Sequence, residues 1–167
     1  MHAPTRPHPQ LPQPVRTDPV VTLDERVRGV LRRRGPDLMR WTLALVFVWF
    51  GALKVANVTP VAQLVADTLA FVPVPAAVVV PALGAFEIVA GVVLAVGRML
   101  RPVLLVLAGH LAGTFLVLVT QPHVAFQDGN PLLLTTEGEF VVKNLVLIAG
   151  TLLVAAALPP VRRGAGR

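Results

Sequence analysis

The chain has 167 residues, 54% hydrophobic and only 14% charged, with a mean hydropathy of +0.71. Soluble domains carry about 25% charged residues, so this is the composition of a membrane protein with one domain and few crossings. The absence of cysteine excludes disulfides, thiolate metal sites and thiol redox chemistry by the chain itself. The net charge of +6 lies in arginines that flank apolar segments, where they set topology and do not mark nucleic-acid binding.

Residues 1–37 read as a disordered, basic tail. Pro4, Pro7, Pro9, Pro12, Pro14 and Pro19 forbid helix through residue 19. Residues 23–34 can form a short surface helix. Arg26, Arg28, Arg32, Arg33 and Arg34 would hold it against anionic headgroups. The four-span membrane domain then occupies residues 38–160, and 161–167 form a basic tail.

The first span runs from about residue 41 to 58, with Arg40 and Trp41 as its interfacial anchor. Its basic flank resembles a signal peptide. The apolar stretch is followed by Lys54 and Asn57 without a small-residue cleavage site, so a retained anchor is expected. Residues 61–72 are apolar except for Gln63, Asp67 and Thr68, which recur on one helical side. Thr59 is the expected N-cap, with Pro60 in the first helical position. A dozen residues rise only about 18 Å, too short to cross, and Pro73 and Pro75 stop the helix. This segment reads as an interfacial helix on the outer face.

The second span covers about 76–97 and the third about 102–120, joined by a tight turn with Arg98 and Arg101. A loop from Thr120 to Thr135 follows, holding His123, Asp128, Gly129, Asn130 and Pro131. Thr136 and Glu139 have capping-box spacing and start the last span, about 137–158, which Pro159 and Pro160 end. The arginines place both termini and the 98–101 turn in the cytoplasm. The expected fold is therefore all-α: an integral membrane four-helix bundle in the bacterial cytoplasmic (inner) membrane, with an interfacial helix between spans 1 and 2.

Each span carries one ionisable residue: Lys54, Glu87, His110 and Lys143. Glu87 lies in the middle of an otherwise wholly apolar run, 78–96, where a carboxyl costs about 2.5–3.5 kcal/mol on the lenient insertion scales. Each ionisable residue has glycines on its own helix face: Gly84 and Gly91 around Glu87, Gly51 before Lys54, Gly113 after His110 beside Gly109, and Gly150 after Lys143. Small residues let helices approach closely, so these groups should face the bundle interior. At about 1.5 Å per residue, Glu87 and His110 fall near mid-depth, with Lys54 and Lys143 one to two turns nearer the outer surface. That makes a polar pocket of Lys54, Glu87, His110, Lys143 and Asn144, with Glu87 and His110 as candidate catalytic groups.

Plainer readings stand beside it. Both lysines can snorkel to the interface, and Glu139 can pair with Lys143. His110 can be satisfied by Thr114 or a backbone carbonyl. Glu87 can be a buried neutral carboxyl or an ion pair that only ties helices together. No second ligand accompanies His110 for a metal or haem, and no metal site is expected.

Three segments in order resemble the DoxX-type family. They are Trp49-Phe50-Gly51-Ala52-Leu53-Lys54, Leu83-Gly84-Ala85-Phe86-Glu87 continuing to Gly91 and Gly97, and Thr136-Glu137-Gly138-Glu139-Phe140-Val141-Val142-Lys143-Asn144-Leu145. The resemblance covers about 40–158, is nearest to the YkgB-like branch, and carries Lys54, Glu87 and Lys143 onto family positions. It implies a membrane protein, in some members a subunit of quinone-linked sulfur oxidoreductases, in others a partner of proteins handling oxidative or thiol stress. Three functions follow as expectations. One is an accessory or scaffold subunit of a membrane redox or stress-response complex. Another is a quinone-interacting oxidoreductase subunit using the Glu-His-Lys pocket; no cofactor is evident beyond that quinone. The third is a proton or small-solute transporter, disfavoured by the lack of paired broken helices. Expected partners are the bilayer, other proteins of such a complex and a second copy of the chain, with no nucleic acid.

Overall fold

A computed structural model describes residues 19–160; the readings made on 1–18 and 161–167 lie outside the described residues. The chain divides into two compact units, one ending at Arg33 and one beginning at Arg34. Helix α1, Pro19–Val55, begins in the first and ends in the second.

In the first unit the described residues are helical, which corrects the expectation of a disordered segment up to residue 37 holding only a short helix at 23–34. Pro19 stands in the first helical position, where its missing N–H is no loss. Asp24 and Arg28 pair at 2.8 Å one turn apart, and Arg33 Nε donates to the Gly29 carbonyl at 3.2 Å. Pro36, farther along α1, removes one helical donor without ending the helix.

The second unit holds α2 (Ala62–Thr68), α3 (Ala76–Val96), α4 (Leu100–Gly113), α5 (Val117–Thr120), α6 (Pro122–Ala125), α7 (Thr136–Val142) and α8 (Asn144–Ala156). A 3-10 turn, Thr114–Leu116, joins α4 to α5, and another, Gln127–Gly129, follows α6. Four stretches are long and apolar enough to cross a bilayer: Leu23–Val55, Ala76–Val96, Leu100–Thr120 and Thr136–Ala156. The chain is an all-α, integral membrane four-helix protein; an isolated bridge, Phe126 to Leu134, is the sole extended pairing among the described residues.

The spans meet on faces that repeat every three to four residues. Leu43, Ala44 and Phe47 of α1, Ala90 and Leu94 of α3, Leu104, Leu107 and Leu111 of α4, and Val154 of α8 form one buried cluster. Packing between α1 and α3 is by backbone. A Cβ on Gly51 would lie 2.5 Å from the Gly84 carbonyl oxygen, and one on Gly84 would lie 2.6 Å from that of Gly51. One on Gly91 would come 2.8 Å from the Ala44 carbonyl oxygen. Only glycine permits this contact. Arg40 closes the same interface, donating through Nη1 to the carbonyls of Leu94 (2.5 Å) and Ala95 (2.9 Å) at the C-terminus of α3. Gly97 turns the chain there at φ 76°.

Several local expectations are corrected. Asn57, at φ 55°, turns the chain out of α1, and Val61 precedes α2 without a side-chain cap, so Thr59 and Pro60 do not start that helix. Gln63 bonds Asp67 on the exposed side of α2, whereas Thr68 is buried. Thr135, not Thr136, caps α7: its hydroxyl accepts from Gly138 N at 3.1 Å and donates to the Val124 carbonyl at 2.5 Å. Glu139 therefore forms no capping box and lies 3.5 Å from Lys143. No helix packs on Gly109 or Gly113, since a Cβ at either meets nothing within 4 Å. The buried face of α4 is instead Leu104, Leu107 and Leu111.

Candidate functional site

The glycine contact between α1 and α3 decides where the polar groups meet. Lys54 lies one turn beyond Gly51, and Glu87 one turn beyond Gly84. With the backbones touching, Lys54 Nζ donates to Glu87 Oε2 at 2.7 Å. From α4, His110 Nε2 lies 2.9 Å from the other carboxylate oxygen, Oε1. The Lys54, Glu87 and His110 side chains are 11%, 6% and 17% exposed. One carboxylate thus joins three spans, with each oxygen on a different partner. The imidazole stands edge-on to Phe86, ring centres 5.2 Å apart, and tilted against Phe47 at 6.4 Å. These rings fix its orientation.

Depth reckoned along the helices placed Lys54 above the Glu–His pair, whereas the structure places its ammonium on Glu87. The four-carbon stem of lysine spans the missing turn. Lys54 accordingly does not snorkel, and His110 finds Glu87 in place of Thr114 or a backbone carbonyl. Lys143 is different. Its side chain is 74% exposed and sits by Glu139, apart from the triad. The last span continues through Lys143, which keeps helical angles (φ −57°, ψ −22°) between α7 and α8. Asn144 Nδ2 donates to Thr114 Oγ1 at 2.9 Å, and that hydroxyl donates to the Leu111 carbonyl at 2.6 Å. Gly150 packs on Met39.

The triad faces a cavity of about 680 Å³. Its wall is apolar over most of its extent, with contributions from Phe50 of α1, Leu64 and Val65 of α2, and Phe140 of α7. Phe50 and Phe140 meet edge-to-face with centres 6.1 Å apart. Lys54, Glu87, His110, Thr68, Thr114, Lys143 and Asn144 are the polar residues of its lining. Small-molecule sites have this character: about 300–1,000 Å³, mostly apolar, with a few placed polar groups.

Sequence reasoning missed the wall. Leu64, Val65, Thr68 and Leu69 line one side of α2 at spacings of one, three and one, a signal that the outward-facing Gln63 and Asp67 obscured. The placing of Phe47 and Phe86 around His110 had no sequence signal. Among the described residues no three His, Cys, Asp or Glu side chains gather as metal ligands would.

A family model described as DoxX matches residues 35–120, just over half of the chain. Lys54, Glu87 and His110 all fall inside the match; Lys143 and Asn144 fall outside it. Neither a curated protein nor a solved structure matches the chain significantly.

Proposed function

The chain belongs to the DoxX family, and from that premise we propose that it is a membrane subunit of a redox complex that holds a quinone head group in this cavity. The observation that carries the reading is Glu87. Its two oxygens are bonded by Lys54 and His110 at the wall of an apolar cavity large enough for a substituted ring. The wall buries the ring and the start of its tail, as hydrophobic sites do. The polar group meets the ring oxygen: a lysine ammonium can donate to it, and an imidazole held by a carboxylate can give or take a proton there. Quinone reduction consumes two electrons and two protons, and any thiol that supplied the electrons would belong to a partner protein, since this chain has no cysteine. In the same reading the protein lies in a bacterial cytoplasmic membrane with both termini inside, as the flanking arginines favour. The YkgB-like branch belongs to the same reading, on the resemblance of the three quoted segments.

A second reading has its own support. Lys54 and Glu87 tie α1 to α3 at their closest approach, as a purely structural ion pair would. The chain would then be a scaffold that docks partners, without a ligand of its own.

Quinone binding by the purified protein, wild type against Glu87→Gln, separates the two. The proposal expects binding by the wild type that weakens at least tenfold in the variant. No quinone binding by the wild type would favour the scaffold, and equal binding by the two proteins would remove Glu87 from the site.

A further inference from the structure

We infer that the Lys54–Glu87–His110 group is open to one face of the membrane only, the face that carries α2, and is sealed from the other. The cavity lies in one half of the bundle. Its lining comes from residues 46–54 of α1, 83–87 of α3, 110–117 of the third span and 140–147 of the last span, together with α2. These stretches share one end of the bundle. There α1 ends and α3 begins, with α2 between them. The third span ends and α7 begins at the same place, where Gln121 Nε2 donates to the Asp67 carbonyl of α2 at 3.3 Å.

The opposite half is filled. Leu43 of α1, Leu94 of α3, and Leu104 and Leu107 of α4 belong to one cluster and are 1%, 0%, 2% and 0% exposed. Its far end is tied shut: Arg40 holds the last carbonyls of α3, Met39 packs on Gly150, and Arg101 donates to the Pro159 carbonyl. Among the described residues, no ionisable side chain lies between the triad and the charged end formed by Asp37, Arg40, Arg98 and Arg101. The hydroxyls there, Thr42 and Thr151, each donate to a carbonyl one turn back in their own helix. A proton or polar solute finds no relay of the kind that polar side chains make across a membrane.

The α2 half is the reverse. Gly113, one turn beyond His110, lines the cavity with open space at its Cβ position. Phe50, Leu116 and Phe140 line it as well and are 38%, 42% and 39% exposed, and the Lys143 side chain is 74% exposed. Residues that both line a cavity and meet its surroundings mark its mouth. All of these lie in the half that α2 covers.

The consequence is directional. Protons and polar reactants reach the triad from the α2 face, which is the outer face on the topology that the arginines favour. For a quinone head group bound as proposed above, a proton exchanged at its ring oxygen passes through that face. The inference itself rests on the packing and holds for any other ligand, so failure of the quinone reading leaves it standing.

The test uses the chain's lack of cysteine. Single cysteines are placed one turn to either side of the triad: Leu83→Cys and Gly113→Cys toward α2, Ala90→Cys and Leu107→Cys away from it. Gln63→Cys and Arg98→Cys, both at exposed positions, report the two faces. A charged, membrane-impermeant thiol reagent is added to right-side-out and to inverted membrane vesicles. Support is labelling of Leu83→Cys and Gly113→Cys only in the vesicles that label Gln63→Cys, with Ala90→Cys and Leu107→Cys unlabelled in both until the protein is denatured. Labelling of any of the four from the Arg98 face overturns the inference, and so does failure of both Leu83→Cys and Gly113→Cys to label from either face. Two positions on each side keep the result independent of one misfolded variant.

Discussion

Lys54 Nζ lies 2.7 Å from Glu87 Oε2 at the place where the backbones of α1 and α3 touch, so the ion pair and the glycine contact form one structural unit. Removing one partner of a buried pair strands the other charge, at a cost of about 3–5 kcal/mol, whereas replacing both with apolar groups is often neutral. Lys54→Met and Glu87→Leu should each lower stability by about that amount, and the double variant should recover most of the loss. Reversible unfolding in mixed micelles, read as a double-mutant cycle, checks this. Additive losses would mean that the pair does not couple. The exposed Lys143–Glu139 pair is the internal control, and Lys143→Met should change stability by less than about 1 kcal/mol.

Glycine positions should divide sharply. Gly51→Ala and Gly84→Ala place a methyl group on backbone of the facing helix and should destabilise by about 1–3 kcal/mol. Gly109→Ala should be tolerated, because nothing lies within 4 Å of its Cβ. Thermal unfolding of the purified variants distinguishes these sites. Equal tolerance at Gly84 and Gly109 would contradict the backbone contact between α1 and α3.

That division also shows what was legible in the sequence. Hydropathy marked the four spans, because an apolar run of bilayer length has few alternatives. Glycines on the face of Glu87 and Lys54 correctly turned both inward. The same rule failed at Gly109 and Gly113, because a Gly-x-x-x-Gly spacing permits close approach without supplying a partner. The α7 cap was missed by one residue because it depends on the Val124 carbonyl, which tertiary folding brings to Thr135. Lys54 was placed too far from Glu87 because backbone rise takes no account of side-chain reach. Cavity walls made by four helices and α2 have no local signature at all.

Arg40 should act as a cap as well as an anchor. Its guanidinium serves two carbonyls at the end of α3 and stacks over Trp41 at 5.1 Å. Arg40→Ala should cost about 1.5–3 kcal/mol, the range for hydrogen bonds to a charged group. Arg40→Lys should recover part of this, because an ammonium keeps the charge and loses the fork. Unfolding measurements on the two variants check the order; a fully restored Lys variant would leave charge as the whole effect.

Gly113 offers a way to fill the cavity without disturbing the packing. It lines the wall, and its Cβ direction is open. Gly113→Leu should keep the unfolding midpoint within a few degrees of wild type while weakening ligand binding at least tenfold, about 1.4 kcal/mol. Unchanged binding in a well-folded variant would place the ligand elsewhere.

Photo-crosslinking with an azidoquinone in native-like membranes, followed by peptide mapping, tests the quinone site most directly. The account predicts that label concentrates on cavity-lining residues such as Phe50, His110 and Phe140, and that excess unlabelled quinone competes it away. Label spread over lipid-facing positions such as Leu105 and Val119, without competition, would contradict it.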